Sequence, residues 1–446
     1  MLLLCFFSTV VYNVHAMKHH IIRVDSLLPS KNCSTTTGPQ RPSTLQITHR
    51  HGPCSPFPTT TTPPTPAEIL RHDRARLAFL QRKHSRPESS SSSDSESEMA
   101  NIPATTPPMG IDRYVVTVGY GTPVLNFTVV FDTGSSRCWI QCQPCTSCYS
   151  QIDPIFDPSA SSSYANIACG ATQCTQSSDT VCSASNCMYY DKNGTNSADG
   201  STTNGNLATE TLTLTSDDVF PDFAFGCRED EGHIGGFAGL LGLGREYGSL
   251  VQQTSATFGG VFSYCLPSSS SSNGFLTFGS DDDSTTSTPL LSQPMQDLYN
   301  VGLSGISVNG QNLGIPPSVF STAGTVVDSG TTITQLPQGA YDALRSAFQA
   351  GMSQYPTAPG NSMFDTCYDL SNYHTVTVPT VTLHFDGGAD LEVDHSGTLF
   401  TESGVSCLAF AAATGVGIIG NTQQKTVEVA YDLGAERLSF RPGACT

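Results

Sequence analysis

Two aspartates in this 446-residue chain open the same short pattern. Asp132-Thr133-Gly134-Ser135 follows the apolar run Val129-Val130-Phe131, and Asp328-Ser329-Gly330-Thr331 follows Val326-Val327. A β-branched and aromatic run predicts a strand, and the glycine after the aspartate predicts a tight turn. Each carboxylate would then stand at a strand tip. Each copy is followed later by an apolar pair and a glycine, Leu240-Leu241-Gly242 and Ile418-Ile419-Gly420. Such a duplication implies two related lobes facing each other with one carboxylate apiece. Two carboxylates within reach of one water are what acid–base hydrolysis of an amide needs. A glycosidase also uses two carboxylates, but the chain has a single tryptophan with which to stack a sugar.

The elements that must hold these groups read as strands. Charged residues make up 13%, with Gly 40 and Pro 28, and the apolar runs are short and rich in Val, Ile, Phe and Tyr. That composition predicts an all-β chain. Strands are predicted at 114–118, 127–131, 211–215, 223–226, 275–278, 376–378, 381–385 and 427–431. One helix is predicted over Gln338 to Met352, with Tyr341, Leu344, Phe348 and Met352 on one face as core packing.

Charge divides the chain. Residues 1–100 carry 11 Lys/Arg against 7 Asp/Glu, and residues 101–446 carry 9 against 31, which gives +4 and −22. The acidic body argues against nucleic acid and anionic membrane as partners. The leader begins with an apolar run, Leu2 to Val14, and Val14-His15-Ala16 offers small residues to a signal peptidase. Residues 1–16 are therefore expected to be a signal peptide. No later run is long enough to span a membrane. Within 17–100 lie a Thr/Pro stretch, a basic helix over Glu68 to Lys83, and a Ser/Asp/Glu run from Ser89 to Glu98 that offers an exposed cleavage zone. The leader reads as a removable propeptide lying over an acidic cleft. Its histidines (His19, His20, His49, His51, His72, His84) charge below about pH 6.5, and self-processing near residues 95–110 is expected between about pH 3 and 5.

Sixteen cysteines suit an oxidising compartment. Cys142, Cys145 and Cys148 could in principle bind zinc, but in a secreted chain they read as disulfide partners. Thirteen cysteines lie in the body, so one thiol is left over. Sequons at Asn32, Asn126 and Asn193 are candidate glycan sites.

These motifs together resemble pepsin-type aspartic proteases, most of all the plant nepenthesin-like group with its chloroplast-nucleoid-type branch. The leader's Thr48-His49-Arg50-His51-Gly52-Pro53-Cys54-Ser55-Pro56, then Ile69-Leu70-Arg71, looks like that branch's prosegment. Val319 to Gly324, Gly239 to Arg245 and Tyr431-Asp432 match as well. The resemblance implies a bilobal pepsin-like fold, two similar β-barrel-like lobes around a central cleft with few short helices. The N-terminal lobe would occupy 101–288, including a cysteine-rich insertion, and the C-terminal lobe 289–446. It implies that Asp132 and Asp328 are catalytic and that no metal or organic cofactor is needed. Thr133 and Ser329 would exchange hydroxyl–backbone bonds across the lobes. Ser135 and Thr331 would bond the outer carboxylate oxygens, Gly134 and Gly330 would let backbone N–H groups approach, and Trp139 would partner a flap tyrosine.

The implied disulfides are Cys142–Cys145, Cys148–Cys227, Cys169–Cys187, Cys174–Cys182, Cys265–Cys445 and Cys367–Cys407, leaving Cys138 unpaired. The implied partners are polypeptide substrates and the chain's own propeptide, acting on a monomer secreted to the apoplast or routed to vacuole or plastid. One departure stands out. The group's flap tyrosine falls at Asn193, and the remaining Asp199-Gly200-Ser201 follows an apparent four-residue insertion, so Tyr189 or Tyr190 would have to shift to replace it. Arg137 and Cys138 stand where the group has an uncharged polar and an apolar residue. A binding protein on the same fold, catalytically impaired like the plant xylanase inhibitors, is the alternative that this departure favours.

Overall fold

The computed structural model describes residues 19–27, 32–34, 41–57, 64–84, 114–145, 148–175, 180–189, 205–228, 236–279, 286–293, 295, 297–321, 324–360, 364–402, 404–413 and 415–445. The expected signal peptide and cleavage zone, Tyr190, Asn193 and Asp199 to Ser201 lie outside the described residues.

The described chain is mostly strands with few short helices. Three elements belong to the leader: β1 (His19–Arg23), β2 (Thr44–His49) and α1 (Pro66–His84). The N-terminal half holds β3 (Tyr114–Tyr120), β4 (Leu125–Asp132), β5 (Trp139–Gln141), β6 (Asn186–Tyr189), β7 (Gly205–Thr213), β8 (Val219–Arg228) and β9 (Gly239–Gly242). Then come β10 (Val261–Cys265) and β11 (Asn273–Phe278). The C-terminal half adds β12 (Thr325–Val327), β13 (Thr334–Pro337), α2 (Gln338–Gly351), β14 (Thr375–Pro379), β15 (Gly417–Ile419), β16 (Val427–Asp432) and β17 (Arg437–Pro442). α2 buries Tyr341, Leu344 and Phe348 on one face, as its period of 3.6 requires.

One large barrel-like sheet runs β17-β16-β10-β11-β2-β3-β4-β9-β5-β8-β7-β6 through the molecule. The duplicated motif repeats as structure. β9 lies parallel to β4 with Gly242 opposite Asp132, and β15 lies parallel to β12 with Ile419 opposite Val327. The glycine closing each apolar pair has a steric cause. A Cβ on Gly242 would stand 2.7 Å from the Arg137 carbonyl, and one on Gly420 would stand 2.6 Å from the Thr332 carbonyl. Only glycine lets the loop that follows each aspartate cross so close.

The strand predictions started at Tyr114, whereas the leader supplies two more. β2 sits inside the main sheet between β11 and β3, burying Leu45 and Ile47. β1 pairs antiparallel with β14 and buries Ile22. α1 starts with a capping box: Thr65 N–H and hydroxyl donate to Glu68 at 2.8 Å each, and Pro66 occupies the first turn.

Seven disulfides are formed among the described residues, and four of them correct the pairing that the resemblance implied. Cys142 joins Cys227, not Cys145, because β5 runs parallel to β8 with Ile140 opposite Cys227, and the Cys142 N–H donates to the Arg228 carbonyl. Cys145 is left to Cys148, not Cys148 to Cys227. In the insertion, a hairpin sets Cys182 opposite Cys187, so the two sulfurs reach different neighbours. Cys182 bonds Cys169 across 5.3 Å between Cα atoms and Cys187 bonds Cys174 across 5.8 Å, replacing the expected Cys169–Cys187 and Cys174–Cys182. Cys265–Cys445, Cys367–Cys407 and a leader bridge, Cys33–Cys54, complete the set. Non-reducing peptide mapping is expected to recover Cys142 linked to Cys227; a Cys148–Cys227 peptide would restore the earlier pairing.

Candidate active site

β4 ends at Asp132, and Asp328 immediately follows β12; both aspartates are buried. The Gly134 N–H donates to Asp132 Oδ1 at 2.9 Å, and the Ser135 hydroxyl to Asp132 Oδ2 at 2.5 Å. The second copy repeats this arrangement: Gly330 N–H to Asp328 Oδ1 at 3.1 Å and the Thr331 hydroxyl to Asp328 Oδ2 at 2.6 Å. The two loops also hold each other. The Thr133 N–H donates to the Ser329 hydroxyl at 3.1 Å, and the Ser329 N–H to the Thr133 hydroxyl at 2.9 Å. A Cβ on Gly330 would collide with Asp132 Oδ1, so that close approach also depends on glycine.

Between the carboxylates lies a side chain of the leader. Arg76 Nη2 donates to Asp132 Oδ1 at 2.6 Å and to Asp328 Oδ1 at 2.8 Å. Its Nε reaches Asp328 Oδ2 at 2.6 Å and its Nη1 reaches Asp132 Oδ2 at 3.1 Å. All three side chains are at most 3% exposed. Burial by itself lowers the Arg76 pKa, but Asp132 and Asp328 outweigh it and raise the pKa overall. One turn earlier, Asp73 accepts the N–H groups of Thr332 and Ile333 at 2.9 and 2.8 Å. Around this pair Ile69 and Leu70 pack with Ile333 and Phe364, and Leu77 and Leu80 with Met295, Val326 and Ile418.

Sequence reasoning flagged this helix but not Arg76 or Asp73. The signal was present: residues 69, 70, 73, 76, 77 and 80 share one helical face, and two of the six are charged. Charges on an apolar face need partners in the body against which the helix packs. It also missed a polar floor under the dyad. Gln424 donates to the Ile419 carbonyl at 2.8 Å and accepts from the Tyr264 hydroxyl, and Asn421 donates to the Ser329 carbonyl at 3.1 Å.

Trp139 is buried among Val115, Val130, Phe237, Leu240 and the leader's Phe57, with the Arg228 guanidinium 5.0 Å from its ring centre. Arg50 of the leader stacks 4.6 Å from the Phe237 ring, and burial lowers its pKa to about 10. Tyr189 is buried at the end of β6 against Gly226. Cys138 is the free thiol among the described cysteines; burial pushes its pKa up to about 12, so it stays protonated and inert. Asn32 and Asn126 are exposed. No group of three or more His, Cys, Asp or Glu suited to a metal occurs among the described residues, and no described helix is long and apolar enough to cross a membrane.

The chain is similar to known proteins over most of its length. Residues 114–280 match the family model described as xylanase inhibitor N-terminal, and residues 298–442 match xylanase inhibitor C-terminal. An aspartyl protease family protein of Arabidopsis thaliana is 44% identical over 448 residues, covering 96% of this chain and 93% of the relative. Aspartic proteinase nepenthesin-2 of Nepenthes gracilis is 38% identical over 353 residues, covering 75% of this chain and 78% of that protein. Among solved structures, basic 7S globulin from soybean aligns with a TM-score of 0.60 at 24% identity, covering 75% of this chain and 93% of that one. That likeness concerns the fold.

Proposed function

The chain belongs to the plant aspartic protease family, and from that premise we propose that it is a secreted acid endopeptidase, made as a zymogen whose leader occupies the catalytic cleft. The observation that carries this reading is the guanidinium of Arg76 bridging two carboxylates that are otherwise held alike. With the leader gone, the two carboxylates would stand close together without their cation. A pair so close cannot ionise twice cheaply and shares one proton over a wide pH range. The carboxylate member takes a proton from a water between them, and the water oxygen attacks the scissile carbonyl carbon. The acid member gives its proton to the carbonyl oxygen. The resulting gem-diol collapses as the amine leaves with a proton. The bonds from Gly134, Ser135, Gly330 and Thr331 reach both oxygens of each carboxylate and fix its plane, and the Thr133–Ser329 exchange fixes the spacing. The chemistry requires no cofactor.

In this reading residues 1–16 are a signal, 17–100 a propeptide, and 101–288 and 289–446 the lobes of a monomer. Seven disulfides are consistent with a secreted or extracellular protein. The test is incubation of the purified full chain at about pH 4 with a denatured protein, with and without pepstatin. Pepstatin-sensitive fragments are expected; none would defeat the proposal. The second reading, a binding protein on this fold, is favoured by Asn193 standing at the flap tyrosine's place, and it forecasts tight binding to a partner without cleavage.

Release by acid has a traceable sign at one leader contact. Burial opposes ionisation of Glu428, but donors from Arg41 at 2.5 Å and Ser263 at 2.7 Å hold its carboxyl below the usual glutamate range. A depressed carboxyl stabilises docking above its free pKa and loses that contribution as pH falls through its bound value. Arg41→Ala should therefore let processing begin at higher pH, with the midpoint followed by mass spectrometry across a pH series. An unshifted midpoint would remove this contact from the release step.

A further inference from the structure

We propose that the leader docks at a second surface, distinct from the dyad cleft, where the edge of β14 and the turn at Asp394-His395 hold β1 as an added strand and release it in acid through His20, before α1 leaves the cleft. This rests on the reading of 17–100 as a propeptide. β1 and β14 form a two-stranded sheet of their own, paired from His19 opposite Pro379 to Arg23 opposite Thr375. The Val24 N–H continues the pairing to the His374 carbonyl at 3.1 Å. The body anchors β14 without help from β1: the Thr377 N–H donates to the Tyr355 hydroxyl at 2.7 Å, and the Thr380 N–H donates to Asn309 Oδ1 at 3.1 Å. A strand added to such an edge is held by main-chain bonds, and its alternate side chains meet the surface beneath. Ile21 is accordingly 75% exposed, while Ile22 is buried in the main core beside Val24 and Leu27.

His20 shares the inward face with Ile22 and is half-buried, its ring centre 6.0 Å from that of His395. Histidine rings take up protons in acid, and two charged rings so close repel. Asp394 lies beside them but is already engaged. Its Oδ1 accepts the Ser396 N–H at 2.9 Å and hydroxyl at 2.6 Å, and its Oδ2 is 3.2 Å from His395 Nδ1. Burial opposes its ionisation, but His395 and Ser396 hold its carboxyl well below the usual aspartate range, so Asp394 stays charged and is not the switch. Glu392 adds a negative charge from the neighbouring strand, and Lys425 a positive one where its ammonium donates to the Ser396 carbonyl at 3.4 Å. β14 carries no titratable side chain, and His19 and Arg23 point outward from β1. Burial draws the His20 pKa down; Asp394 and Glu392 pull the other way without cancelling it, and His395 pulls with it. A histidine so lowered binds fewer protons docked than free, so docking weakens as pH falls below about 6.5. The cleft end of the leader is held through Arg76 by carboxylates, a class that protonates about two units lower than imidazoles. The strand therefore leaves first.

The test is amide hydrogen exchange of the full chain at about pH 7.5 and about pH 5.5, read by mass spectrometry and corrected for the intrinsic effect of pH. Protection of residues 19–24 should fall about five- to tenfold at the lower pH, tenfold being the ceiling for one histidine held one unit below a free pKa of about 6.5. Residues 66–84 should keep their protection. His20→Gln should hold the strand's protection within about twofold between the two conditions, and His20→Lys, charged in both, should weaken it in both. Ile22→Ala should lower protection by the same factor at either pH, as a residue that only packs would. Three outcomes overturn the latch: protection of 19–24 that ignores pH, an equal fall in His20→Gln and wild type, or loss that coincides with loss over 66–84. Exchange requires no cleavage, so its result is read separately from the pepstatin test, whose failure would strike the proteolytic reading alone.

Discussion

Asp132→Asn is expected to reduce hydrolysis of a quenched peptide by about 10³-fold or more, because the substitution keeps the shape of the site and removes its proton chemistry. The asparagine oxygen can still accept the Gly134 N–H, now made at 2.9 Å. An amide cannot take a proton from water, nor share one with Asp328 across the gap that Arg76 spans. The variant should also retain its full mass when held alone at about pH 4, and be shortened only when wild-type protein is added. Thermal unfolding of variant and wild type would separate lost chemistry from lost fold. Residual pepstatin-sensitive cleavage above about a tenth of wild type would mean that some other pair of groups does the work.

The site was legible where one residue type has one geometric job. An aspartate at the end of an apolar run, with a glycine two positions later, can be read without knowing the rest of the fold. The duplication then says that two such loops face each other. The apolar-apolar-glycine segments were legible for the same reason, since a Cβ on Gly242 or Gly420 would meet the backbone of the loop that follows the aspartate. Disulfide pairing was not legible. Cys142, Cys145 and Cys148 lie within seven residues, and which of them meets Cys227 is decided by the parallel register of β5 on β8, a tertiary fact. The leader strands escaped notice for a related reason. Leu45 and Ile47 alternate over only a few residues, and the strand owes its place to β11 and β3, far away in the chain. Arg76 lay between these cases. Its place on an apolar helical face was readable, while its partners became visible only once both lobes were assembled around it.

Arg76→Ala in the full chain should release the dyad and produce pepstatin-sensitive activity without an acid step. Removing one partner of a buried charged set costs about 3–5 kcal/mol, because the remaining charges stay buried without compensation. Here two carboxylates, no more than 1% exposed while Arg76 covers them, would be left facing each other. They can respond by sharing a proton or by admitting water, and either response gives the arrangement that hydrolysis needs. The helix also loses its central anchor, leaving Asp73 on the Thr332 and Ile333 N–H groups and four apolar side chains to hold it. A shift of that size corresponds to a change of about 10²-fold or more in the docking equilibrium. Self-processing should become correspondingly faster at about pH 5.5, where the wild-type precursor is expected to persist. Arg76→Lys should fall between the two, since an ammonium supplies the charge but not the four-bond fork. If the alanine variant stays as silent and as intact as wild type at that pH, the apolar face of α1 and not Arg76 keeps the cleft shut.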